Sequence, residues 1–428
     1  MQTNIKSYQL KNGLTVYFYP DHTKHSVIVN LIVKFGGKDT DVMIDGECCH
    51  LRDGMAHLLE HYTIEQNQYG NLISLLTKKF MYTNGVTDRY CTRYYFDAVK
   101  YIDEGLEILI KGIHQPIFSE QNLETTKHAI REEIRDTQDS IDRRINVLEM
   151  EQLFHNRSYR STIGTLSDID STTIEEVERV YHTFYQPSNE IIVVAGNFKE
   201  KEMLEKITQL YDELSFCTHT MKRLLKEEPT TVANKKAVLN FLTAMPIYEL
   251  SFKVPIGHFT QEQKMKLDWY MSIFFEMNFS TLSPIVKQLR DKKIIDKNCV
   301  LSSSFFDDYM IVKIGAFTKQ KEKFLKEILK VLKNPRLDTE VYELSMREKK
   351  LQVSLRPENL YDVVEPFIDN LICFDYPFLD SVVYLDTFSF QEYQEIINQL
   401  DFSNYCMIEV IDKNTHCTQK ETKELVVN

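Results

Sequence analysis

The run His57-Leu58-Leu59-Glu60-His61 constrains this chain more than any other stretch. Its two histidines and one glutamate stand at positions i, i+3 and i+4. Only a helix brings that spacing to one side, because successive residues advance about 100° and the three side chains then share a sector of about 100°. Two neutral imidazoles are good zinc ligands, and a carboxylate beside them that is not itself a ligand can act as a proton acceptor. With 12 histidines in 428 residues, chance produces such a pattern in on the order of a few per cent of sequences, so its surroundings must carry the rest.

A catalytic zinc takes three protein ligands and keeps a fourth position open. The third ligand is sought on a helix downstream. Residues 119–138 read as one, with Ser119 as N-cap, Glu120 and Glu124 in the first turns, and no internal Gly or Pro. Ile130 and Ile134 are four apart and face the core together. Their neighbour Glu133 then sits at the edge of the buried face, which makes it the candidate third ligand.

Elsewhere the chain alternates strand and helix patterns. Strands are expected at 15–19, 26–35, 191–195, 238–242, 248–254, 308–317 and 405–411, and the Asn12-Gly13 dipeptide predicts a hairpin turn before the first. Long helical stretches occupy 100–112, 121–154, 320–332 and 338–355. Each half runs strands first and helices after. The expected fold is therefore α+β, with two homologous α/β sandwich domains, each an antiparallel-rich sheet with helices on one face. A helical run from Thr173 leads to Ser188-Asn189 and a strand, and another from Ser389 leads to Ser403-Asn404 and a strand, a repeat of about 215 residues. The expected boundaries are a zinc-bearing domain at 1–217, a polar linker at 218–236 containing Pro229, and a second domain at 237–428 without the motif.

Charge and cysteine usage narrow the partners. The formal net charge is −12, and no basic patch with interleaved aromatics stands out, which disfavours nucleic acid. No apolar run is long enough to predict a membrane span, and the first residues lack the pattern of an export signal. Eight cysteines form no compact disulfide framework, so a reducing cytoplasm is expected. Cys48-Cys49-His50 lacks the CxxC spacing of a metal site and is read as structural.

Several landmarks together resemble the pitrilysin, or inverzincin, zinc metallopeptidases, and within them the smaller bacterial members related to the mitochondrial processing peptidase. Lys11-Asn12-Gly13-Leu14 matches the family's opening turn, and Gly54-Met55-Ala56-His57-Leu58-Leu59-Glu60-His61 is similar to its Gly-x-Ala-His-Phe-Leu-Glu-His. Asn84-Gly85-Val86-Thr87 stands where the family has Asn-Ala-x-Thr, followed by Thr92-Arg93-Tyr94. Ile130-Arg131-Glu132-Glu133-Ile134 matches the stretch holding the third ligand, and Tyr185-Gln186-Pro187-Ser188-Asn189 precedes a strand as in the family. The resemblance implies one Zn2+ per chain held by His57, His61 and Glu133, with Glu60 as general base. It also implies a substrate strand that uses Asn84, Gly85 and Thr87.

The departures are informative. Thr126 stands where members commonly carry a second Glu, and the stretch around Arg290 keeps a substrate-contacting Arg but lacks the family's Tyr. The family's two domains form half of a clam-shaped chamber, so a homodimer or a heterodimer with a chain lacking the zinc motif is expected. Some relatives belong to bacteriocin biosynthesis operons, where such a pair processes a precursor peptide. The rival expectation is a non-catalytic binding or assembly subunit of the same fold. An assembly role does not require Glu60, which favours the peptidase.

Overall fold

The computed structural model describes residues 5–217, 219–224 and 226–413. The chain opens with strands β1 (Lys6–Gln9) and β2 (Thr15–Pro20), followed by β3 (Val27–Val33), β4 (Asp41–Ile44) and β5 (Glu47–His50). Helices α1 (Met55–Glu65) and α2 (Leu72–Lys78) lead to β6 (Tyr82–Thr87) and β7 (Thr92–Ala98). Then come α3 (Ile102–His114), α4 (Glu120–Asp139), α5 (Ile141–Leu153), α6 (Leu166–Ser171), α7 (Ile174–Phe184), β8 (Glu190–Gly196), α8 (Glu200–Asp212) and β9 (Met221–Arg223).

The later part contains β10 (Lys236–Phe241), β11 (Ile247–Pro255), α9 (Gln261–Phe279), α10 (Pro284–Asp291), β12 (Val300–Phe306) and β13 (Tyr309–Phe317). It continues with α11 (Lys321–Lys333), α12 (Thr339–Leu355), α13 (Leu360–Phe374), α14 (Val382–Leu385), α15 (Phe390–Gln399) and β14 (Tyr405–Asp412).

Two sheets carry the fold, one in each of two compact units. The first has the order β1-β2-β8-β3-β7-β6 and the second β10-β14-β11-β13-β12. The pairing repeats as well. β2 lies parallel to β8 and β8 antiparallel to β3, and likewise β10 lies parallel to β14 and β14 antiparallel to β11. Tyr405, which starts β14, follows Glu190, which starts β8, by 215 residues. In both sheets a helix-bearing connection precedes the edge strand, so α9 stands in the second where α1 stands in the first. α9 contains no histidine, so the HxxEH ligands belong to the first repeat alone.

The turn expected at Asn12-Gly13 joins β1 to β2, with Gln9 opposite Thr15. Gly13 takes a φ of +92°, a conformation that suits a residue without a Cβ. The helical stretch expected over 121–154 is divided at Ser140, which adopts an extended conformation, ends α4 and caps α5 by accepting from the Arg143 amide. A serine hydroxyl competes well for such an amide at a helix start, and that competition breaks the run.

The units do not follow the two halves of the sequence. One comprises Met1–Pro229 with Arg347–Phe388, and the other Thr230–Met346 with Ser389–Asn428. The reason lies in the first sheet. Val27, Val29, Leu31 and Val33 of β3 pack with Leu58 and Leu59 of α1, Leu106 and Ile110 of α3, and Ile130 of α4. Ile28 and Ile32 face the other way, with Ile191 and Val193 of β8, and are covered by Leu360, Val364, Phe367, Ile368 and Leu371 of α13. All of β3 is thereby buried, as expected of a run that is apolar except for Asn30 at its centre. Each large apolar side chain buried this way contributes about 1.5–3 kcal/mol.

The boundary at Pro229 and Thr230 falls inside the stretch expected to link the domains. Within that stretch β9 pairs with β4, and residues 218 and 225 lie outside the described residues. Among the described residues, no helix is long and apolar enough to cross a membrane.

Candidate metal centre and its neighbouring base

Helix α1 begins at a close backbone approach. Gly54 caps it with a φ of +86°, and a Cβ there would lie 2.5 Å from the Ile163 carbonyl oxygen. Leu58 and Leu59 anchor the helix in the core, which leaves His57 and His61 on the remaining face toward α4. Tyr62, between core and site, donates its hydroxyl to the Ile117 carbonyl at 2.8 Å and accepts from the Ser119 amide at 3.1 Å. Ser119 caps α4. One side chain of α1 therefore fixes where the Glu133-bearing helix starts.

Glu133 Oε2 stands 3.5 Å from His57 Nε2 and 3.4 Å from His61 Nε2. The two rings meet edge to face, with centroids 4.7 Å apart. Among the described residues this is the one group of at least three His, Cys, Asp or Glu side chains whose ligand atoms converge, all within 4.8 Å of one another. Charge-assisted hydrogen bonds run at about 2.7–2.9 Å, shorter than these separations. Tetrahedral zinc with bonds of about 2.0–2.1 Å instead places its ligand atoms about 3.4 Å apart. The donor set and its spacing therefore fit a zinc ion. The side chains of His57, His61 and Glu133 are 12%, 24% and 38% exposed, so the cluster opens toward solvent on the glutamate side.

At His57 and Glu133 the electrostatics favour the ligating forms. Burial and the adjacent His61 ring hold the His57 pKa well below the usual imidazole value. For His61 burial acts the same way but is outweighed by Glu133 and by the charge of Glu60, so its pKa is raised. Glu133 is held below the ordinary carboxylate value, foremost by His61. An ionised carboxylate beside a neutral imidazole is ready to accept a cation.

Glu60 lies outside the converging set, nearly fully buried between α1 and β6. Its Oε2 accepts a hydrogen bond from Thr87 Oγ1 at 2.6 Å. Its Oε1 fills the space beside Gly85, where an added Cβ would come within 2.7 Å of that oxygen and 2.6 Å of Ile64 Cδ1. Burial raises the Glu60 pKa, and the Thr87 hydroxyl opposes that rise by bonding to the charged form.

The remaining sequence candidates separate. Thr87 and Gly85 face Glu60, whereas strand alternation puts Asn84 on the other face of β6, exposed with Tyr82 and Val86. β6 is the last strand of its sheet. Arg290 lies on α10 in the second unit, where its guanidinium donates to the Thr281 carbonyl at 2.8 Å. Cys48 and Cys49 are free thiols on β5, and the neighbouring His50 pairs with Asp41. Thr126 Oγ1 and His57 Nδ1 are both buried without a hydrogen-bond partner among the described residues. The ligand ring therefore lacks the outer acceptor that usually orients a metal-bound histidine.

Sequence reasoning missed a chain of hydroxyls beneath α1. Thr63 Oγ1 lies 2.9 Å from Tyr94 OH, which lies 2.7 Å from Tyr185 OH, and all three residues are buried. Thr63 is two residues past His61, and its period places it inward, the only signal available beforehand.

Comparison with known proteins places the chain in a family. Residues 19–165 match the family description "Insulinase (Peptidase family M16)", and residues 171–343 match "Peptidase M16 inactive domain". The chain is 23% identical over 405 residues to the uncharacterized zinc protease YmfH of Bacillus subtilis (strain 168), covering 93% of this chain and 94% of that protein. Its fold is similar to the crystal structure of an M16-like peptidase from Alicyclobacillus acidocaldarius, with a TM-score of 0.86, 22% identity, and 96% and 99% of the two chains covered. It is also similar to the periplasmic protease PqqL of Escherichia coli, with a TM-score of 0.75 and 18% identity, covering 97% of this chain but 48% of that one. Two consecutive domain matches and a zinc protease aligned along nearly its whole length show that the chain belongs to the pitrilysin-type zinc peptidases of family M16.

Proposed function

We propose that the chain is a zinc-dependent endopeptidase in which His57, His61 and Glu133 hold one Zn2+ and Glu60 is the general base. The observation that carries this reading is the convergence of three ligand atoms within 4.8 Å, with Glu133 Oε2 at 3.5 and 3.4 Å from the two imidazole nitrogens, and a buried carboxylate beside them that is not one of the three. Bound zinc supplies Lewis acidity, which activates water and draws charge from a peptide carbonyl. The chain's own residues do the rest. The Thr87 bond occupies Glu60 Oε2, leaving Oε1 to take the proton of the attacking water and later to deliver it to the leaving amine. The free edge of β6 can receive a substrate strand through backbone hydrogen bonds, which tolerates many sequences and selects for short or unfolded peptides.

Pairing of two such chains is part of this reading, supported by the PqqL chain, which is about twice as long. The partner is a second copy or a homologous chain without the zinc motif. The finer substrate, a precursor or leader peptide of a ribosomally made bacteriocin, rests on the incomplete substrate clamp around Arg290. A binding or assembly role is the second reading, favoured by the inactive-domain match over residues 171–343. Chelation separates the two. Cleavage of an unstructured fluorogenic peptide by the chain, alone or with its partner, stops when zinc is stripped and returns with stoichiometric Zn2+; absent cleavage supports the second reading, and cleavage that survives zinc removal contradicts the zinc mechanism.

A further inference from the structure

Ser140, which divides the helical run into α4 and α5, stands in a definite relation to the metal cluster. Glu133 precedes it by two helical turns, so both lie on one side of α4, about 10.5 Å apart along its axis. α5 therefore departs from the face of α4 that carries the ligand. Ile145, Glu149 and Leu153, each four residues on from the last, are buried and anchor α5. Arg143 stands two residues before Ile145, about 200° away around the helix, and is exposed. Its amide donates to the Ser140 hydroxyl, which fixes it in the first turn of α5, beside the end of α4.

The Arg143 guanidinium makes no ion pair or hydrogen bond among the described residues. The arginines of α4 do, since Arg131 pairs with Asp170 at 2.6 Å and Arg135 with Glu132. Arg143 instead acts on the centre, where its charge helps to hold Glu133 ionised. Glu133 is the most exposed of the three converging residues, so this guanidinium overlooks the open side of the cluster. A peptide that places its scissile carbonyl at the cluster must cross that side, and a residue close to the cut then passes Arg143. A guanidinium is always charged, is weakly hydrated, and presents a fork of donors that matches a carboxylate.

We infer that Arg143 is a specificity-determining residue that binds a carboxylate of the substrate close to the scissile bond. This rests on the peptidase reading. The carboxylate belongs either to an Asp or Glu side chain or to the C-terminus of the peptide. The two sources give different products, internal cuts at a fixed distance from an acidic residue in the first case and removal of a short C-terminal piece in the second.

The test measures binding and cleavage separately. Unstructured fluorescent peptides of one parent sequence carry Asp, Asn or Lys at successive positions, each made with a C-terminal acid and a C-terminal amide. Cuts by the zinc-loaded wild type, with its partner chain if it needs one, are mapped by mass spectrometry, and affinities are measured on zinc-loaded Glu60→Gln protein. At one position relative to the cut, Asp is expected to raise affinity and kcat/KM over Asn on the order of 10-fold, as a charge-assisted pair shielded by the bound peptide allows. If the C-terminus is the source, the acid exceeds the amide by that factor and the Asp position has no effect. Arg143→Gln abolishes the preference, Arg143→Lys retains part of it, and Arg143→Glu turns it toward Lys at the same position. A preference that survives Arg143→Gln, or a wild type indifferent to both carboxylate sources, overturns the assignment. A preference lost together with zinc in Arg143→Lys also overturns it and makes the residue structural. Arg143-dependent binding without any cleavage by the wild type contradicts the peptidase reading instead.

Discussion

The hydrogen bond from Thr87 to Glu60 decides how the proposed base titrates. Burial pushes the Glu60 pKa up, and the Thr87 hydroxyl, which bonds more strongly to the ionised carboxylate, pulls it back. A base works while ionised, so activity is present above the Glu60 pKa and is lost as pH falls through it. Thr87→Val keeps the shape and removes the donor. The acidic limb of the kcat/KM profile should then move to higher pH with zinc content unchanged; an unmoved limb would show that Thr87 does not act through Glu60. The HxxEH residues were legible because helical spacing alone aligns them. The role of Thr87 was not, since it stands 27 residues beyond Glu60 and meets it only when β6 packs on α1.

At the scale of elements, the centre depends on how α1 and α4 are held together. Tyr62 ties α1 to the start of α4 through the Ile117 carbonyl and the Ser119 amide, and the Thr63, Tyr94 and Tyr185 hydroxyls lie beneath the same helix. Tyr62→Phe leaves buried groups unpaired and should destabilise the protein by about 1–3 kcal/mol. Zinc affinity should fall with it, because Glu133 moves with α4; unchanged affinity in a titration with a zinc chelator would refute that coupling. The Ser119 cap and the inward Ile130 and Ile134 were readable as local chemistry. The break at Ser140 was equally local, but a cap inside a long helical run gives way to propensity when the sequence is read alone.

Across the whole molecule, duplication was visible in the recurrence of Ser-Asn before a strand, and apart from the extra strand β1 the first sheet repeats the strand order of the second. What the sequence could not reveal is where α13 goes. Its apolar row announces a buried face without naming the surface that buries it, and that surface is the first sheet rather than the second. Phe367, buried on α13 with its ring 5.3 Å from Tyr17 of β2, makes this testable. Phe367→Ala should cost about 3–5 kcal/mol, read as a lower thermal midpoint for the unit that carries the metal cluster. A loss confined to the other unit would contradict the assignment of α13.

Helix α1 supplies two of the three proposed ligands together with the base, and separating those two roles is the decisive test. Zinc content and peptide cleavage are measured on the same preparation of Glu60→Gln, with the partner chain present if the wild type needs it. One zinc per chain, with cleavage reduced by about 10²–10⁴-fold, is the predicted result. Loss of zinc together with activity would make Glu60 a ligand, and cleavage at the wild-type rate would remove it from the mechanism.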